Sequence, residues 1–152
     1  MTETVLDALT AAVYISRLQL AGETVDTDDK RLRASGLYPE WTPGAHSVGE
    51  HYNATGQTWE VFTAYDNAVY PDIRPGEAAW YTFNRPLHGT SPQTARPFVP
   101  VQGAHDIYRA GEYMIWTDGG MYRCLKDTNF SPEDYPAGWE TVSKPEAGAE
   151  TE

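Results

Sequence analysis

Only one cysteine, Cys124, stands in the 152 residues, so no disulfide can form within the chain. That excludes a small secreted scaffold stapled by such bonds. Its neighbours Tyr122 and Leu125 place Cys124 on a strand, where a thiol is a small apolar filler rather than a nucleophile. Long hydrophobic runs are missing as well: nothing approaches the ~20 consecutive apolar residues of a membrane helix. The first residues, Met1-Thr2-Glu3-Thr4, lack the basic start of a signal peptide. The sequence therefore predicts a protein made in the cytoplasm, with no membrane partner; if it leaves the cell, it travels by lysis, on a particle or by another route.

Basic residues are scarce. Lys and Arg number 11 against 22 Asp and Glu, for a net charge of −11. Such a chain repels phosphate backbones, so no nucleic-acid partner is expected. The densest basic cluster, Lys30, Arg31 and Arg33, follows Asp26, Asp28 and Asp29 and reads as a solvated, mixed-charge helix face. Catalytic signatures are also absent: there is no G-x-S-x-G, no H-E-x-x-H and no phosphate-binding Gly loop. The pairs Glu133-Asp134 and Asp28-Asp29 sit in loop or capping positions. His46 and His51 flank Glu50, but their spacing on a strand turns them to opposite faces. The reading is of a protein with no catalytic residue, no metal and no cofactor.

Aromatic residues are plentiful but unevenly placed. Of the Phe, Trp and Tyr residues only Tyr14 precedes Leu37, and 13 Gly and 11 Pro residues point to turns and short strands. Residues 4 to 20 read as the one substantial helix, with Thr4 and Asp7 at capping-box spacing and Gly22 as the stop. Val5, Leu6, Leu9, Ala12, Val13 and Leu20 form one stripe, and Ile15 and Leu18 add apolar surface elsewhere. Such a helix either docks on its own β domain or self-associates in a small bundle. Thr27-Asp28-Asp29 can cap a second short helix through Ala34, ended by Ser35-Gly36. Beyond it the chain is β in character, with strands at Trp59–Thr63 and Met121–Leu125, each behind a hairpin turn.

A repeat runs through this β part. Gly44-Ala45-His46 recurs as Gly103-Ala104-His105. Val48-Gly49-Glu50-His51-Tyr52 matches Ala110-Gly111-Glu112-Tyr113-Met114, and Gln57-Thr58-Trp59-Glu60-Val61 matches Gly120-Met121-Tyr122-Arg123-Cys124. Pro71 and Pro75 before Trp80 resemble Pro132 and Pro136 before Trp139. The predicted organisation is a helical leader over 1–36 for oligomerisation or anchoring and a first small β module over 37–83. A Pro-rich linker follows over 84–98, then a second module over 99–142 and a disordered acidic tail over 143–152. The fold class is mainly β with an N-terminal α-helix and two small antiparallel modules, each held together by one Trp.

The pattern resembles the chitin- and cellulose-binding modules of carbohydrate-binding families 5 and 12, which run Y-x-x-G-D-x-V, turn, aromatic strand, Pro loop, W. Trp41, His46 to Tyr52, Trp59 and Trp80 carry it in the first copy; Tyr108 to Met114, Tyr122 and Trp139 carry it in the second. Glu50 and Glu112 stand where the family prefers Asp, and the second copy lacks the opening Trp, with Val99 or Val101 nearby. Family binders place exposed aromatics just after the middle strand, where this chain has Tyr65 in one copy and Lys126-Asp127 in the other. A helical leader before such modules also looks like short tailed-bacteriophage proteins, in which the helix assembles or docks on the virion.

The resemblance implies a non-enzymatic carbohydrate-binding accessory protein, probing host-surface or chitin-like polysaccharide from a phage particle. Tyr65, Tyr70, Tyr81, Trp116 and Tyr135 are its candidate stacking rings, because flat exposed aromatic faces meet the C–H groups of sugars. Its partners would be a cell-wall glycan and, through the helix, the virion or further copies of itself. The alternative is a structural virion decoration or protein-docking unit, with the same rings serving as core and interface. Buried Tyr65, Tyr70 and Trp116 would favour that alternative.

Overall fold

The computed structural model describes residues 3–103 and 105–143. The acidic tail expected over 143–152 lies, apart from Ser143, outside the described residues. The chain is mainly β with an N-terminal helix and small sheets, as the sequence predicts. It divides into two compact units, 1–87 and 88–152. The expected linker over 84–98 is therefore corrected. Asn84–Pro86 is a strand of the first unit, and Arg96–Pro97 is a strand of the second. The prolines that suggested a linker are compatible with this because both strands lie at sheet edges, where a missing N–H costs no ladder bond.

Helix α1 (Glu3–Leu20) is built from Ala, Leu and other good helix formers. It ends in a Schellman motif: Gly22 takes φ +74°, Glu23 N–H bonds the Leu18 carbonyl, and Gly22 N–H bonds that of Gln19. Thr4 lies inside the helix, one residue past its start, so it is not the predicted cap. Helix α2 (Asp28–Arg33) is capped as expected, the Thr27 hydroxyl accepting from Lys30 N–H. A 3-10 turn over Ser35–Leu37 follows, and α1 lies directly on it.

The leader is part of the first unit. Arg85 donates to both carboxylate oxygens of Asp28 at 2.8 and 3.0 Å. Asn53 donates to the Ser35 and Tyr38 carbonyls, and Arg33 lies over the Tyr14 ring at 4.4 Å. The basic cluster is solvated only in part, since Lys30 bridges Glu23 and Asp26 and Arg31 bridges Asp28.

The first module pairs β1 (Ala45–His46) with β4 (Tyr65–Asp66), and stacks β2 (His51–Ala54), β3 (Gln57–Val61) and β5 (Asn84–Pro86) in one antiparallel sheet. The second unit has one sheet in the order β6 (Arg96–Pro97), β7 (Tyr113–Ile115), β8 (Met121–Cys124), β9 (Trp139–Val142), with β6 parallel to β7.

Register shows that the two modules are copies. His51↔Glu60 and Tyr52↔Trp59 in one become Tyr113↔Arg123 and Met114↔Tyr122 in the other. Gly49 and Gly111 both take φ +93°, their N–H groups bonding the Val61 and Cys124 carbonyls. The pair Glu60–Arg85 recurs with its charges exchanged as Arg123–Glu140. The opening aromatic is conserved in place but not in identity. Trp41 N–H bonds the Asn53 carbonyl as Phe98 N–H bonds that of Ile115, so Phe98, rather than Val99 or Val101, stands where the first copy has Trp41.

Both cores centre on a Trp, as expected, reached by different routes. Trp80 is 0 % exposed and forms a T-shaped pair with Trp41; Trp139 is 5 % exposed and forms a T-shaped pair with Phe98. Yet Trp80 stands on a 3-10 turn over Ala78–Thr82, whereas Trp139 is a strand residue. By register Trp139 corresponds to Asn84, since both lie opposite matched residues, Cys124 and Val61.

Candidate functional site

A conserved framework with different loops decides where an aromatic face can be reached. In the first module Trp59 is 2 % exposed, its indole N–H bonded to the Ala54 carbonyl. Tyr81 and Trp80 lie edge-on against it at 5.9 and 5.4 Å. The rings that cover it come from the segment between Pro71 and Asn84. In the second module the matching segment, from Pro136 to Trp139, is only a short turn. Tyr122, the counterpart of Trp59, is consequently half-buried and accessible.

Tyr122 and Trp116 line an open groove of about 560 Å³, together with Pro132, Glu133, Pro136, Trp139, Glu140 and Thr141. Trp116 stands at the end of β7, where the turn Trp116-Thr117-Asp118-Gly119 closes by the Gly119 N–H to the Trp116 carbonyl, Gly119 at φ +83°. Behind it the indole and the Phe98 ring meet in a T-shaped pair, their centroids 5.1 Å apart. The Tyr122 hydroxyl reaches Asp118 at 3.3 Å. Glu140 is engaged by Arg123 at 2.6 Å, and Glu133 is exposed. The groove thus offers two aromatic rings for stacking on C–H surfaces and oxygen acceptors for hydroxyl groups.

The other predicted rings are scattered. Tyr65 is corrected: it is 7 % exposed and belongs to the core, its hydroxyl accepting from the Trp41 indole N–H at 2.9 Å and bonding the Tyr52 hydroxyl. It sits opposite His46 in the β1–β4 pair, which turns the ring inward among His46, Trp80 and Phe83. Burial raises its phenol pKa. Tyr81 is half-buried as a lid on Trp59.

Tyr70 is 63 % exposed and borders a cleft of about 390 Å³ with Val69, Ile73 and Phe83. Tyr135 is half-buried beside a cleft of about 450 Å³ with Phe130, Asp127 and Asp134. These two are counterparts. Each is followed by Pro, and each gives its N–H to the residue four before while its carbonyl accepts from the residue three after. The structure therefore brings Trp116 together with Tyr122, a residue the sequence reading left on a strand. The signal that could have found it was the shortness of the loop after Pro136.

Three of the four histidines turn to separate carboxylates: His46 to Glu50 at 3.1 Å, His51 to Glu60 at 3.0 Å and His88 to Glu112 at 3.0 Å. The His51 ring and then the Arg85 guanidinium, against the burial that opposes them, hold the Glu60 carboxyl down at about 2. Cys124 bonds the Lys126 carbonyl at 2.9 Å, and burial pushes its thiol up to about 11. Among the described residues no helix is long and apolar enough to cross a membrane. No family model and no curated protein sequence matches the chain.

Proposed function

We propose that the protein is a non-catalytic polysaccharide-binding protein whose second module holds the sugar chain in the Trp116–Tyr122 groove. The observation that carries this reading is the loss, in that copy alone, of the loop that covers the matching ring of the first. Two accessible aromatic rings with Glu133, Glu140 and Thr141 at the rim suit a pyranose chain. The likeness to chitin- and cellulose-binding modules supports an insoluble host-surface or chitin-like glycan as the target class. The setting on a bacteriophage particle rests on that likeness and on the helical leader.

Retention of the full chain on insoluble chitin, cellulose and Gram-positive cell walls tests this, with Trp116→Ala and Tyr122→Ala alongside. Retention on one polymer, lost at least tenfold in both variants while thermal unfolding is unchanged, is the expected result. Equal retention of wild type and variants, or none on any of the polymers, would sink it. For the first module a structural role is favoured by a specific observation. Tyr65, Trp59 and Trp80 are all buried there, and its one well-exposed ring among the predicted residues is Tyr70. Tyr70→Ala is accordingly expected to leave retention intact.

A further inference from the structure

Helix α1 has two apolar faces, and among the described residues only one of them is covered. At 100° per residue, Ala11 and Leu18 point together, and they are 1 % and 8 % exposed. Asp7 and Ala8 flank them, their backbone lying on Gly36. Leu6, Leu9, Val13 and Leu20 fall on the opposite side, and they are 55 %, 48 %, 51 % and 90 % exposed. A helix resting on a domain ordinarily turns polar residues to that side.

We infer that this stripe is the contact by which copies of the chain assemble, helix α1 against helix α1. Three features select a second copy over other occupants. The first is spacing: positions 6, 9, 13, 16 and 20 alternate steps of three and four, the seam of a coiled coil, with Ser16 its one polar member. The second is charge. The chain carries −11 overall, so copies repel across most of their surface. The charges of α1 are Glu3, Asp7 and Arg17, and none occupies a seam position. A lipid surface would instead call for Lys and Arg lining the polar side of the helix.

The third feature is area. The four side chains expose on the order of 400 Å² of apolar surface, the size of the largest patch a monomer ordinarily leaves open. One pair of helices meets each stripe from one side only and covers at most about 800 Å² in total, short of the standard ~1,200–2,000 Å² interface. A bundle of three or more helices covers each stripe from two sides. The contact therefore has the character of a small bundle. It would also give several sugar grooves per particle, although the inference stands without the sugar reading.

Sedimentation velocity of the full chain from 5 to 200 µM, with Leu9→Glu/Val13→Glu and the milder Leu6→Gln/Leu20→Gln, decides it. The expected result is a wild-type oligomer of three or more copies, and a shift to monomer in both variants with β-sheet circular dichroism retained. If Leu9→Glu/Val13→Glu fails to fold, the Gln pair carries the comparison. A monomeric wild type at 200 µM, an oligomer unchanged in the folded variants, or flotation of a monomeric chain with phosphatidylglycerol vesicles would overturn it.

Discussion

Gly36 is where the packing of α1 on the first unit can be tested most sharply. A Cβ added there would stand 2.3 Å from the Asp7 carbonyl oxygen, 2.5 Å from its carbon and 2.9 Å from Ala8 N. These are backbone atoms of a helix, so no side chain can swing aside. To restore ordinary contact α1 must retreat by about 1 Å, a gap that forfeits a quarter to a half of each dispersion contact beneath it. Ala11 and Leu18 lose most, being the residues that the retreat uncovers. Overpacking of this kind costs ~1–3 kcal/mol, so Gly36→Ala should destabilise the first unit by about 2 kcal/mol. For a unit of this size that lowers its midpoint by about 10 °C.

The control is Gly22→Ala. Gly22 has nothing within 4 Å of an added Cβ but holds φ +74°, so only backbone strain of ~1 kcal/mol is felt. Thermal unfolding by circular dichroism and the rate of tryptic cleavage after Arg17 report the two effects. Gly36→Ala should accelerate cleavage, because the retreating helix frays from its support. A Gly36→Ala variant within ~0.5 kcal/mol of wild type, with the cleavage rate unchanged, would refute the argument that α1 is seated backbone-to-backbone on Gly36.

Two further outcomes follow from the electrostatics. The Glu60 carboxyl is held at about 2 against an ordinary 4.5. A depressed folded-state pKa gives stability that is fully present above pH 4.5 and is lost as pH falls toward 2. Urea midpoints of wild type should therefore fall more steeply than those of Glu60→Gln between pH 5 and 2, and parallel curves would refute this. Cys124, with its thiol at about 11 and 1 % exposed, should label with a thiol-disulfide reagent at pH 8 only slowly, and at once in 6 M guanidinium. Complete labelling of the native protein within seconds would contradict its burial.

The aromatic composition, the turn signals and the Gly-Glu repeat were enough to read a helix followed by two β modules, because such patterns are local. Thr27 as a cap, the matched strands at Trp59 and Tyr122, and a Trp in each core were legible for the same reason. Other features depended on what the chain brings together from far apart. Prolines 86 and 97 looked like linker until pairing showed them on edge strands, where proline is tolerated. Phe98 replaces Trp41 only once its N–H is seen to bond Ile115.

The same limit governs the site. Nothing local distinguishes Tyr65, turned into the core by its pairing with His46, from Tyr70 a few residues on, which stays in solvent. Exposure of Tyr122 is decided by the length of a loop that covers Trp59 in the other copy. Likewise the sequence by itself determined that α1 is apolar on two sides. Only the tertiary structure decided which side the chain covers, because Gly36 admits the backbone at Asp7 and Ala8 and leaves Leu6, Leu9, Val13 and Leu20 outside.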